Sequence, residues 1–291
     1  MRLLILGATG MIGHCLWMGL SSTHDVSVII RRDKAELPDI PNIDSQKIFD
    51  KVDVTNFKDV ETIIENVKPD VVFNCIGIVK QLELSKSYLH SIELNSLFPH
   101  RLAKVCLDNN SRMIQFSSDC VFDGEKGLYV ESDIPNAVDL YGKSKALGEI
   151  DYMSNVLTLR TSFIGREIFP HGGLINWFES QKGKVVKGYS QAIYSGLPAA
   201  SFINILNTYI LPNRGLHGIY HLSNEPIDKY SLLILVKNVL KLNVEIIADD
   251  SFVIDRSLDS SKFKNELGCV IPQWNEIIGD LLIQNSFYDA L

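Results

Sequence analysis

Leu3-Leu4-Ile5-Leu6-Gly7-Ala8-Thr9-Gly10-Met11-Ile12-Gly13 is the stretch that decides the fold. Four aliphatic residues in a row suit a strand buried on both faces, and the apolar segment from Met11 to Leu20 suits a helix. Between them, Gly7 permits a tight turn, Gly10 lets a pyrophosphate approach the backbone, and Gly13 lets helix and strand pack closely. The helix N-terminus then turns its free N–H groups toward an anion. The spacing is GxxGxxG, one residue wider than the usual GxGxxG. Strand, glycine turn and helix in this order read as a dinucleotide site, with Thr9, Met11 and Ile12 in the loop that contacts the cofactor. Met1-Arg2 ahead of an apolar run also imitates a secretory leader. The glycines puncture that run, however, and no small-x-small cleavage site follows.

The rest of the chain fits a folded α/β protein. Its 291 residues are 46% hydrophobic and 22% charged, enough for one large or two small domains. Lys and Arg total 28 against 35 Asp and Glu, so the net charge of −7 lacks the cationic footprint of a nucleic-acid binder. The five cysteines are scattered without CxxC or zinc-ligand spacing, the usage of a protein kept in a reducing cytoplasm. The seven histidines show no HExxH or paired spacing, so no metal is expected, and no run is long enough for a membrane span. Asp249-Asp250 lacks an assignable second acid across a cleft and reads as a solvated loop.

Short aliphatic runs alternate with helical periodicity, as in βαβ units of a parallel sheet. Strands are expected at Leu3 to Leu6, Val26 to Arg31, Lys47 to Phe49, Val71 to Cys75, Met113 to Ser117 and Leu157 to Arg160. Helices are expected at Met11 to Leu20, Asn56 to Asn66, Ser87 to Asn109 with a kink at Pro99, and Tyr141 to Met153. Past Arg160, the Pro170-His171-Gly172-Gly173 break introduces a smaller lobe. Helices are expected there at Leu174 to Gln181, Tyr230 to Leu240, Ser260 to Leu267 and Trp274 to Gln284, with strands near Ile219 to Leu222 and Val244 to Ile247. The expected architecture is a Rossmann-like, doubly wound parallel sheet over residues 1–165. A smaller C-terminal α/β substrate lobe spans 166–291, some segments of which return to the first domain.

Four further constellations bear on the chemistry. The second strand ends in Arg31-Arg32 rather than an acid, so these guanidinium groups can clamp a 2′-phosphate and favour NADPH; Asp33 could also partner either arginine. Asp53-Val54 either caps a helix or contacts the adenine, and both readings stay open. Tyr141 and Lys145 lie four apart on one helix face, where the ammonium is expected to lower the tyrosine pKa. Ser117-Ser118-Asp119-Cys120-Val121-Phe122 ends a strand in hydroxyls, and strand ends face the ligand crevice of a parallel sheet. Ser118 can then hydrogen-bond the oxygen that Tyr141 protonates; a serine pair capping a turn is the plainer alternative.

The order of these elements resembles the extended short-chain dehydrogenases/reductases: the GATGMIG loop, Asn74-Cys75-Ile76-Gly77, Ser118, and the Tyr141/Lys145 pair. It is more closely similar to the dTDP-4-dehydrorhamnose reductase family. That likeness rests on Ser118 to Gly124, Leu159-Arg160-Thr161-Ser162, Gly218 to Leu222, Arg256 to Ser260 and Pro272-Gln273-Trp274, and spans nearly the whole chain. The resemblance implies NADPH over the sheet, with Cys75, Ile76 and Gly77 among its contacts. It implies a nucleoside-diphosphate 4-keto-6-deoxysugar between the lobes, touched by Ser118, Asp119, Tyr141, Phe163, Gly173 and Arg256. Tyr141 would donate the proton, Lys145 would anchor the nicotinamide ribose, and Asn95 would support the lysine through water. Ser118 stands where the family usually has Thr, and Phe163 where a Trp is common. Some members dimerise through a metal held near the position of Cys15, and no such bridge is expected here.

The leading expectation is an NADPH-dependent reductase of a nucleotide-linked keto sugar. An epimerase or dehydratase of the same superfamily, or a non-catalytic regulatory or binding subunit, are the alternatives. The nucleotide base, the exact sugar and the oligomeric state stay open, a homodimer being one candidate. Phe163 and Gly172-Gly173 are expected to line or hinge the sugar pocket, an ordinary surface loop with a core phenylalanine being the alternative.

Overall fold

Alternation along the first strand builds two cores at once. In β1 (Arg2–Leu6), Leu3 and Ile5 enter the core on one face of the sheet, and Leu4 and Leu6 the core on the other. The computed structural model describes residues 1–40, 44–79, 86–169, 172–283 and 285–291. After β1 come α1 (Met11–Leu20), β2 (Asp25–Ile29), β3 (Ile48–Phe49), α2 (Phe57–Val67) and β4 (Val71–Asn74). Then α3 (Tyr88–Ser91) runs through a π-helical turn, Ile92–Leu97, into α4 (Phe98–Asp108), followed by β5 (Arg112–Phe116), α5 (Leu140–Leu147) and β6 (Val156–Arg160).

The second part holds β7 (Phe163–Ile164), α6 (Leu174–Glu179), β8 (Val185–Tyr189), β9 (Ala192–Tyr194), β10 (Leu197–Pro198), α7 (Ala199–Ile205) and β11 (Gly218–His221). It closes with β12 (Ile227–Asp228), α8 (Lys229–Val239), β13 (Glu245–Asp249), β14 (Ile254–Asp255) and α9 (Ser261–Leu267), then short helical segments from Trp274 onward.

Seven parallel strands form the main sheet in the order β11-β6-β5-β4-β1-β2-β3. Strand order reverses between β1 and β4, so a crevice opens there at the carboxyl ends of the strands, where ligands of such sheets bind. Helices cover both faces. Gly19 brings α1 onto α7, since a Cβ there would lie 2.9 Å from Ile203. A smaller core gathers Ile175, Phe178, Val186, Leu232, Leu233, Val236 and Trp274 between α6, α8 and the parallel pair β8-β13. Gly218–His221, at the strand expected near Ile219 to Leu222, pairs with β6 as the seventh strand of the main sheet, so the chain returns there from its second part. Two helix ends depart from the sequence-based expectation. The helix expected over Tyr141 to Met153 stops at Leu147 because Gly148 is pressed against the Asn95 carbonyl. The Trp274 helix likewise ends at Ile277 and continues as a tighter 3-10 turn through Leu282, while Pro170, His171 and Gln284 lie outside the described residues.

Candidate active site

The glycine loop divides its labour between packing and approach. Gly7 has φ +76°, and a Cβ on it would lie 3.0 Å from the Cys75 carbonyl. On Gly13 a Cβ would come within 2.2 Å of the Gly7 oxygen, so neither position admits a side chain without backbone movement. Gly10 is different: its nearest obstacle, Gly7 O, is 3.4 Å away, and the space beyond it is open at the N-terminus of α1. Met11 reaches toward Gly165, Ile12 packs on the main core, and Thr9 lies in the turn.

At the end of β2 the two arginines differ. Arg32 pairs with Glu36 at 3.2 Å and stacks on Phe169 at 4.1 Å, whereas Arg31 is exposed and lends its charge to Asp53. Asp33 is taken by Lys51 at 2.6 Å. Asp53 caps the turn before α2, accepting from Thr55 N at 3.0 Å and Thr55 Oγ1 at 2.8 Å, and these bonds hold its carboxyl below the usual range. The N-cap of α2 itself is Asn56, so Asp53 shapes the turn before the helix, and Val54 packs against the core beneath α2.

Three close approaches set the reacting groups. Gly142 sits where a Cβ would be 2.2 Å from Cys120 O, and Gly148 where it would be 1.9 Å from Asn95 O. Helix α5 is therefore wedged between the end of β5 and the π-helical turn, with Tyr141 and Lys145 in the intervening crevice. Pro99, four residues after Asn95, offers no N–H to that carbonyl. The Asn95 side chain accepts from Ile78 N at 2.9 Å and donates to Ile78 O at 3.2 Å and Ser144 Oγ at 3.0 Å. It thereby ties the loop after β4 to the residue preceding Lys145 by direct bonds. Gly77 lies beside it: a Cβ there would stand 3.3 Å from Asn95 Oδ1 and 3.8 Å from Lys145 Nζ, closing off the lysine. Cys75 and Ile76 complete this edge, with Cys75 N bonded to Leu6 O at 3.0 Å and Ile76 N to Asn74 Oδ1 at 3.2 Å.

Lys145 donates to the Phe116 carbonyl at 2.6 Å, and burial brings its pKa down to about 8. Ser118 Oγ accepts from Cys120 N at 3.1 Å and donates to Asp119 Oδ1 at 3.0 Å, beside the Tyr141 phenol. The expectation that the ammonium lowers the tyrosine pKa is corrected here. Burial and the nearby Cys120 and Asp119 push Tyr141 well above its ordinary value, while the lysine is turned to Phe116. Tyr141 consequently keeps its proton across the physiological range.

The opposite wall is made of charge. Arg256 donates through Nε to Phe122 O at 2.9 Å and turns Nη1 to Cys120 Sγ at 3.7 Å. Lys229, at the start of α8, lies over the Tyr194 ring at 3.7 Å and faces the charge of Asp119, with its pKa lowered to about 8 by burial. Sequence reasoning missed Lys229 and Tyr194; a lysine following Asp228 gives no signal beyond an ordinary helix start. Phe163 packs edge-on to Phe116 and against Phe202, half-buried in the main core, and Gly173 caps α6 while donating to Glu167 at 3.1 Å. These contacts place Phe163 on the aromatic cluster beside β5 and Gly173 at the start of α6.

A glycine turn at the strand-order reversal, with serine, tyrosine and lysine converging on one crevice, defines an extended short-chain dehydrogenase/reductase. The chain belongs to the RmlD substrate binding domain family, whose model matches residues 1–286. It is 28% identical to dTDP-4-dehydrorhamnose reductase of Aggregatibacter actinomycetemcomitans over 306 residues, covering 96% of this chain and 98% of that protein. The structure of dTDP-4-dehydrorhamnose reductase from Bacillus anthracis in complex with NADP superposes with a TM-score of 0.78 at 19% identity. That match covers 97% of this chain and 99% of the other, and shows the shared fold. Methionine adenosyltransferase 2 subunit beta of Mus musculus is 30% identical over 158 residues, 54% of this chain and 44% of that protein.

Proposed function

We propose that this chain is an NADPH-dependent reductase of a nucleoside-diphosphate 4-keto-6-deoxysugar, as its relative's name suggests. The observation that carries the reading is a tyrosine that retains its proton, beside Ser118 and one helical turn from a buried lysine that rests on the Phe116 carbonyl, next to an open glycine turn. The residues fit the dinucleotide: Gly10 and Gly77 leave room that a Cβ would fill, and the buried Thr161 hydroxyl at the end of β6 has no hydrogen-bond partner among the described residues. Bound NADPH would supply the hydride. Tyr141 hands its proton to the carbonyl oxygen, and Ser118, held by Cys120 N–H, turns its hydroxyl from Asp119 to that same oxygen. Lys145 would hold the ribose hydroxyls with its ammonium, and Arg31, exposed at the end of β2, would offer its guanidinium to a 2′-phosphate. Lys229 and Arg256 bring positive charge to the side where a sugar diphosphate enters.

Incubation with NADPH and a panel of dTDP-, UDP- and GDP-linked 4-keto-6-deoxysugars tests this, with NADPH oxidation expected for at least one of them. A second reading, a non-catalytic partner subunit, is favoured by the similarity to methionine adenosyltransferase 2 subunit beta. Tight NADPH binding with no consumption across the panel would support that one instead.

A further inference from the structure

Glu149 has no part in the proton transfer described above, yet it stands where the working elements join. Its Oε1 accepts from Ser117 Oγ at 2.6 Å and Arg160 Nε at 2.8 Å, and its Oε2 from Arg160 Nη2 at 2.7 Å. The pair is almost wholly buried, with side-chain exposures of 5% for Glu149 and 2% for Arg160. Arg160 is held in turn by the face of Phe122 at 5.1 Å and by His221 Nε2 at 3.2 Å. His221 uses Nδ1 on the Tyr129 carbonyl at 3.0 Å. Burial and the arginine charge bring its pKa down to about 4, so it accepts from Arg160 as a neutral ring.

A buried ion pair is seldom the best route to stability, because apolar residues of similar volume often do as well or better. Its placement suggests another role. Ser117 lies between Phe116, whose carbonyl anchors Lys145, and Ser118, which stands beside Tyr141. Lys145 is four residues before Glu149, and the groups facing it are few. They are the Glu149 carboxylate, the Cys75 thiol after β4, kept neutral by burial, the Phe116 carbonyl from β5, and the Asn95 amide beside Gly77. On α5 itself, Tyr141 is neutral. Glu149 is the carboxylate that offsets the cost of burying the ammonium.

We infer that Glu149 is a positioning residue of this site: gripped by Arg160 and Ser117, it locks the ends of β5 and β6 to the segment that follows α5, and so fixes the Phe116 carbonyl on which Lys145 rests. The inference rests on the reductase reading for its kinetic consequence, but not for its effect on NADPH binding.

The test compares the whole protein with Glu149→Gln, with the double variant Glu149→Gln/Arg160→Met, and with Ser117→Ala. The double variant leaves no unpaired buried cation, and so covers the case in which the single substitution fails to fold. NADPH affinity is titrated against pH, followed by single-turnover reduction. Wild-type affinity should fall as pH rises through about 8. In Glu149→Gln the midpoint should move down by about one pH unit, giving roughly threefold weaker binding at pH 7.5 and near-normal binding at pH 6, and in the double variant, which removes a positive charge with the negative one, it should move down by less. Ser117→Ala keeps the charge, and should slow turnover several-fold without moving the midpoint. Folded Glu149 variants with the wild-type midpoint would overturn the inference and leave a purely structural ion pair. A shifted midpoint in a protein that consumes no NADPH with any keto sugar would instead refute the reductase reading alone.

Discussion

The two sides of the crevice are built by different means. On the cofactor side, backbone meets backbone: Gly7 against Cys75, Gly13 against Gly7, Gly142 against Cys120 and Gly148 against Asn95, with no room for a methyl group. On the sugar side, long side chains meet across the gap, Lys229 over Tyr194 and Arg256 against Cys120, with Asp119 between. Backbone approaches demand glycine and leave a mark in the sequence. Side-chain meetings demand only that two distant segments fold together, and they leave almost none. The cofactor side should therefore fail abruptly when altered, and the sugar side by degrees.

The largest effect is expected where the two sides meet. Tyr141→Phe should retain NADPH binding and lose about 10²- to 10⁴-fold in turnover, the range for a missing general acid, as rapid-mix kinetics would show. Normal turnover would place the proton donor elsewhere. On the sugar side, Lys229→Met should raise KM for the sugar nucleotide roughly 10- to 100-fold, as expected from losing a charge-assisted bond of about 1.5–3 kcal/mol, with the NADPH Kd unmoved. On the cofactor side, Gly142→Ala forces a methyl group against the Cys120 carbonyl and should cost about 1–3 kcal/mol of stability, read as a lower Tm.

Smaller effects separate the arginines. Arg31→Ala should weaken NADPH about tenfold and leave NADH unchanged. Arg32→Ala should do less, because Arg32 is already engaged by Glu36 and Phe169. Equal losses for both cofactors would remove the 2′-phosphate from the account. The mildest handle is pH. Lys145 and Lys229 have pKa values lowered to about 8, so both are charged below that pH and neutral above it. NADPH affinity and sugar affinity should each decline as pH rises through 8, and Lys229→Met should abolish only the second decline. The stability sign is opposite. Burying either charge disfavours the folded state at low pH, and that penalty is relieved between about 8 and the unfolded value near 10.5.

Most of the sheet was legible because β1, β4, β5 and β6 are apolar on both faces and follow one another at βαβ spacing. The strand at Gly218–His221 was legible too, but not its pairing with β6, since a short apolar run carries no information about which sheet edge it joins. The end of α5 escaped for a related reason: helical periodicity continues past Gly148, and only the tertiary contact with Asn95 stops it. In the site, Ser118, Tyr141 and Lys145 stood out by spacing, but the state of Tyr141 depends on burial that no local pattern reveals. Phe163 is expected at the sugar pocket from its place after β6, and its contacts with Phe116 and Phe202 show that one face of the ring also packs on the main core.

The central claim is a hydride delivered to a sugar carbonyl, and NADPH carrying deuterium at nicotinamide C4 tests it most directly. With a nucleoside-diphosphate 4-keto-6-deoxysugar, the account predicts one NADP⁺ per sugar and deuterium on the new carbinol carbon, both lost in Tyr141→Phe. Isomerised sugar with the label still on the cofactor would contradict it in favour of an epimerase, and tightly bound NADPH that is never consumed would contradict it in favour of a binding subunit.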